Sequence, residues 1–152
     1  MSAKTVHFLF QILFFCCFGL AAEVVFTALT ALFTHDPLCN NPLWSLTGIT
    51  YVWMIFIYAL IPILLSVLYP RLKSLHIILR LLIYVALIYA VEFTSGFLLE
   101  KITGKCPWEY TTGWHVMGYI RLDYFPSWLF FSWLVERLYV YLSVKLAPDQ
   151  VI

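Results

Sequence analysis

Charge is scarce in this chain. Asp, Glu, Lys and Arg make up 11% of its 152 residues, where a soluble domain carries about 25%. Nine basic and eight acidic residues leave a formal charge of +1. No basic face exists to neutralise phosphates, so a nucleic-acid partner is excluded. Cysteine is sparse as well: the four are dispersed and lack zinc-site spacing. The sequence contains no HExxH, no P-loop, no GxSxG elbow and no His paired with a carboxylate. Internal repeats and Gly/Ser linkers are missing too. These absences point to one domain without metal or cofactor and lean away from an enzyme.

Apolar side chains fill the space that charge leaves, at 63% of the chain. Water could not solvate the surface of such a protein, so the composition implies a polytopic membrane protein whose first partner is the lipid bilayer. Four apolar runs, at about 6–33, 47–69, 76–99 and 124–144, each exceed the ~20 residues that cross ~30 Å of hydrocarbon. A closed barrel would need short alternating segments, and none appear. The expected fold is all-α: a four-helix transmembrane bundle forming a single membrane domain over 1–152, with a long aromatic loop at 100–123. Aromatic residues reach 19% and gather at segment ends as an interfacial belt.

Orientation follows from the basic residues. Lys4, Arg71, Lys73, Arg80, Arg137 and Lys145 fall on one side, and Lys101, Lys105 and Arg121 on the other. This balance places both termini in the cytoplasm. Lys4, the first apolar run and Leu20-Ala21-Ala22 also resemble a cleavable signal. The run continues well past Ala22, which suits a membrane anchor better.

Three glutamates sit inside these apolar runs: Glu23, Glu92 and Glu136. A carboxylate near the middle of a membrane helix costs roughly 2.5–3.5 kcal/mol on translocon-based scales, so it faces protein or water. Each lies on a stripe of small or hydroxylated residues at helical spacing: Gly19, Glu23 and Thr27; Glu92, Ser95 and Gly96; Ser132, Glu136 and Tyr139. Counted from the span centres, all three fall within a slab ~10 Å thick. No Lys or Arg of the spans lies near that slab, because Arg80 opens the third span on the opposite side. Arg121, folding back from the loop, is the remaining source of a counter-charge. Glu23, Glu92, Glu136, Thr27, Ser95, Ser132 and Tyr139 are thus the candidate ion- or substrate-binding residues.

The third loop carries Cys106-Pro107-Trp108-Glu109-Tyr110 and then Trp114 to Tyr124. Over twenty residues long, it reads either as a cap over the outer helix ends or as a plain interfacial anchor. Cys106, Trp108, Glu109, Tyr110 and Arg121 are its candidate functional residues. Cys39 and Cys106 fall in loops on the same non-cytoplasmic side, where an oxidising lumen allows a disulfide.

These residues carry a resemblance. Glu23-Val24-Val25-Phe26-Thr27, Glu92-Phe93-Thr94-Ser95-Gly96-Phe97, Cys106-Pro107-Trp108-Glu109-Tyr110 and Met117-Gly118-Tyr119-Ile120 occur in that order, with Gly48, Trp53, Tyr124, Trp128 and Glu136. The chain so resembles the transmembrane protein 229 family, related to bacterial CmpB-like membrane proteins labelled putative ABC-transporter type IV. Glu109 stands where the family more often has Asp, and Ala59 where Gly is common. The resemblance implies a multi-pass helical fold and no established activity; ATP-driven transport would require another subunit.

Three readings stay open. The first is a transport or channel-type protein for a proton, a cation or a cationic or polar lipid group, as a homo-oligomer or part of a larger membrane complex. The second is a structural or assembly protein whose glutamates only fix helix packing. The third is a lipid-modifying membrane enzyme with two carboxylates as acid and base.

Overall fold

The computed structural model describes residues 2–34 and 47–146. Long apolar runs without water to bond the backbone must close their hydrogen bonds internally, and the protein is accordingly mostly helical. Helices α1 (Ala3–Thr34), α2 (Met54–Leu72) and α3 (Ile77–Thr103) are long and apolar enough to cross a membrane. After α3 come a two-stranded hairpin, β1 (His115–Val116) and β2 (Ile120–Arg121), a 3-10 turn at Leu122–Tyr124, and α4 (Phe125–Leu146). Helix α4 is less apolar: it carries Trp128, Trp133, Tyr139, Tyr141 and three serines besides Glu136 and Arg137. The chain divides into two compact units, Met1–Ser66 and Val67–Ile152.

In the first unit, the expected second span loses its beginning. Residues 47–50 are not helical, and α2 starts at Met54 after a turn in which Met54 N–H reaches Tyr51 O at 2.9 Å. Thr27 on α1 explains the difference. Its hydroxyl accepts the Ile49 N–H at 2.8 Å and lies 3.1 Å from the Ile49 carbonyl, tying an extended strap to α1. Gly48 makes the approach possible, because a Cβ there would stand 1.9 Å from the Val24 carbonyl oxygen. Gly19 does the same for the Tyr58 ring, 2.4 Å from where its Cβ would be. Helix α2 runs through Pro62 and past Pro70 to Leu72, three residues beyond the expected end of the second run at 69. A proline so near a helix end removes few backbone bonds.

In the second unit, α3 extends to Thr103 and shortens the expected loop. Gly104 caps it in the left-handed region, φ 83°, with its N–H on the Glu100 carbonyl at 2.8 Å. The chain then folds back along α3 instead of sitting over its end. Tyr119 packs edge-on against Phe93 and Phe97, with ring centroids 5.2 and 6.2 Å apart, and its hydroxyl donates to Glu100. Gly96 allows this: a Cβ would lie 3.2 Å from the Tyr119 ring and 3.3 Å from Cys106 Sγ. Lower down, Tyr89 donates to the Leu122 carbonyl at 3.3 Å. Lower still, Arg80 meets Glu136 of α4. Hairpin, 3-10 turn and α4 therefore descend α3 in that order, and α4 accompanies only its first half.

The hairpin itself is tightly specified. His115 pairs with Arg121 and Val116 with Ile120, and the turn closes by Tyr119 N–H to Val116 O at 3.1 Å. Met117 (φ 53°) and Gly118 (φ 76°) are both left-handed, the backbone that tight hairpin turns prefer. Trp108 Nε1 donates to the Tyr119 carbonyl at 3.2 Å, and Tyr110 N–H to the Gly118 carbonyl at 2.9 Å. These bonds fasten the Cys-Pro-Trp-Glu-Tyr segment to the hairpin.

Candidate functional site

Glu136 is 2% exposed and fully neutralised by Arg80. The guanidinium grips it in bidentate fashion, Nε to Oε2 at 2.5 Å and Nη2 to Oε1 at 2.7 Å. Tyr84 lies beside the pair, and the Tyr69 ring centroid is 6.0 Å from the Arg80 guanidinium. Arg80 Nη1 also donates to the Leu75 carbonyl at 3.1 Å, within the turn that joins α2 to α3. One arginine thus binds the end of α2, the start of α3 and the middle of α4. Tyr139, one turn beyond Glu136, is buried against Tyr69 with centroids 6.2 Å apart. Ser132, one turn before Glu136, is buried as well.

This pairing corrects the shared slab. Arg80 was assigned to the opposite side from the carboxylates, yet it is the counter-ion of Glu136. Glu92 lies twelve residues further along α3, about 18 Å at 1.5 Å per residue, so Glu92 and Glu136 stand at different levels. The expectation failed because it treated α4 as a full-length span level with α3. Arg121, the other candidate counter-charge, is engaged by Asp123, with Nε 3.0 Å from both carboxylate oxygens. Its guanidinium also stacks over Tyr124 at 4.4 Å and donates to the Tyr124 hydroxyl at 3.0 Å.

Glu23 belongs to the first unit and has a different environment. Two hydroxyls reach its Oε2: Thr50 at 2.6 Å, from the strap, and Tyr58 at 3.1 Å, from α2. The Thr27 hydroxyl lies 2.9 Å from the Glu23 carbonyl, so it serves the strap and not the Glu23 side chain. On α3, Glu92 is 9% exposed, and the Ser95 hydroxyl donates to the Val91 carbonyl at 2.6 Å. Thr50, Tyr58 and Arg80 are the site residues that sequence reasoning missed. A hydroxyl at the opening of the second run hinted at Thr50, but nothing local marks Arg80 as a partner of Glu136.

Between α3 and the hairpin, Cys106 is buried beside Gly96, and burial pushes its thiol up. Cys39, its expected disulfide partner, lies outside the described residues. Trp108 and Tyr110 are half-buried, and Glu109 is exposed with its Cγ near Gly118. Tyr119 was not singled out as a site residue, yet it anchors the segment. Among the described residues, no group of three or more His, Cys, Asp or Glu could hold a metal ion.

Three apolar spans, acidic residues bonded within the helical framework and a hairpin folded back on α3 define a helical membrane protein. Comparison with known families agrees: residues 8–149 match the family described as putative ABC-transporter type IV, and the chain belongs to that family. No solved structure matches it.

Proposed function

We propose that this protein is the membrane-embedded subunit of a transporter-type assembly, with Glu23 as the carboxylate that handles a proton, a cation or a cationic or polar lipid group. One observation carries the reading. Glu136 is already neutralised by an arginine, whereas the donors at Glu23 are hydroxyls, which a proton or a cationic ligand can displace or share. Glu92 is the second candidate carboxylate, and Glu136 serves packing. Within the family, the Glu-Phe-Thr and Cys-Pro-Trp-acid-Tyr elements favour the transmembrane protein 229 branch. An ATP-driven cycle needs a partner that supplies the nucleotide site, and a homo-oligomer is the simplest assembly. The fourth crossing is made by the hairpin and α4 together, with both termini cytoplasmic by the basic-residue balance. A Cys39–Cys106 disulfide fits the opposite, oxidising side.

The test compares Glu23→Gln, Glu92→Gln and Glu136→Gln in purified protein and in proteoliposomes loaded with pH- or cation-sensitive dye. Glu23→Gln is expected to fold normally and lose flux, because Gln keeps the shape without the charge. Unchanged flux and stability in Glu23→Gln would overturn the reading. The second reading, a scaffold whose glutamates only fix packing, is favoured by the Arg80–Glu136 pair. It predicts that stability alone responds, at Glu136.

A further inference from the structure

The stretch of α3 between Arg80 and Glu100 contains a single charge, Glu92. Its nineteen residues measure about 28 Å at 1.5 Å per residue, close to the ~30 Å of a bilayer's hydrocarbon. Tyr89 stands next to the midpoint of that stretch. Yet Tyr89 is where the Leu122 carbonyl attaches, at the point where the hairpin gives way to the 3-10 turn and α4. The Arg121–Asp123 ion pair therefore sits near mid-depth, and it is not sealed: the two side chains are 20% and 35% exposed. Leu122, between them, is 42% exposed.

Two physical rules meet here. Irregular backbone at membrane depth persists only where protein buries it or a water-filled cavity bathes it. A charged side chain at that depth faces protein or water, because acyl chains cannot solvate it. Among the described residues nothing buries the exposed portion of the Arg121–Asp123 pair, and acyl chains cannot solvate it, so water is the solvent that fits. We propose that a water-filled crevice runs down α3 from its C-terminal end to the level of Tyr89, floored by the Arg121–Asp123 pair and opening towards Glu92. The fourth crossing is then discontinuous: the hairpin and 3-10 turn line the crevice in one leaflet, and α4 completes the other. Such a path admits small hydrophilic solutes and excludes lipid tails. It goes beyond the proposed transport role and does not require it, because water can fill the crevice whether or not Glu23 handles a ligand.

Cysteine accessibility in liposomes tests this. In a background with the four native cysteines replaced by serine, Leu122→Cys is compared with Ala90→Cys, an exposed position at the same level of α3. The probe is a membrane-impermeant charged methanethiosulfonate. Leu122→Cys is expected to react at least tenfold faster than Ala90→Cys. A nitroxide at Leu122 should likewise collide more often with a polar nickel chelate than with oxygen, and the reverse at Ala90. Equal, slow reaction at both positions, with full labelling after denaturation in detergent, would overturn the crevice. Should Leu122→Cys fail to fold, Asp123→Cys gives the same two readouts. A reactive Leu122→Cys together with unaltered flux in Glu23→Gln would sustain the crevice and remove the transport reading.

Discussion

Arg80 and Glu136 form the most consequential pair in the second unit, and its energetics are asymmetric. Burying two charges is costly, and the bidentate geometry offsets that cost only while both partners are present. Glu136→Gln leaves a buried guanidinium uncompensated and is expected to destabilise the protein by roughly 3–5 kcal/mol. Arg80→Met together with Glu136→Leu removes both charges and should restore most of that loss. Thermal unfolding of the purified variants in detergent checks both outcomes. A double variant no better than Glu136→Gln would show that Arg80 matters mainly through its bond to the Leu75 carbonyl.

The hairpin between α3 and α4 holds two local features that can be measured separately. Met117 occupies a left-handed position, φ 53°, and is 68% exposed, so its side chain gains little from the fold around it. Asn tolerates this conformation much better than Met, and Met117→Asn should raise stability by up to about 1 kcal/mol. A lower melting temperature would mean that Met117 is held by contacts outside this chain. Tyr119 is the second. Tyr119→Phe keeps the ring packing on Phe93 and Phe97 but loses the hydroxyl bond to Glu100, and should lower the melting temperature in detergent. An unchanged melting temperature would show that the ring alone holds the segment on α3.

For the molecule as a whole, the descent of hairpin, 3-10 turn and α4 along α3 fixes the direction of the chain's last helix. The end of α4 points the same way as the start of α3, because Glu136 lies at Arg80 and Leu122 at Tyr89. A tag placed after Leu146 should therefore share the membrane side of the Lys73–Leu75 turn, while a tag in the hairpin should lie on the other side. Glycosylation-site mapping or selective permeabilisation reads this directly. Tags after Leu146 and in the hairpin found on one side would refute the discontinuous crossing.

Composition was enough to determine a membrane-embedded helical protein: 63% apolar residues, runs of about 20 or more and a shortage of charge leave no other way to satisfy backbone and solvent. The stripe around each glutamate was legible as well, because helical spacing is a local property. What each glutamate touches was not. Thr50 is 27 residues from Glu23 and Arg80 is 56 from Glu136, and no periodicity relates such positions. The level of α4 was equally hidden. Sequence treats each apolar run as a complete crossing, whereas Gly96 lets Tyr119 and the hairpin occupy the C-terminal half of α3's flank, so that α4 packs along its N-terminal half. Hydrophobicity specifies that segments enter the bilayer; only packing between distant side chains decides at what depth they meet.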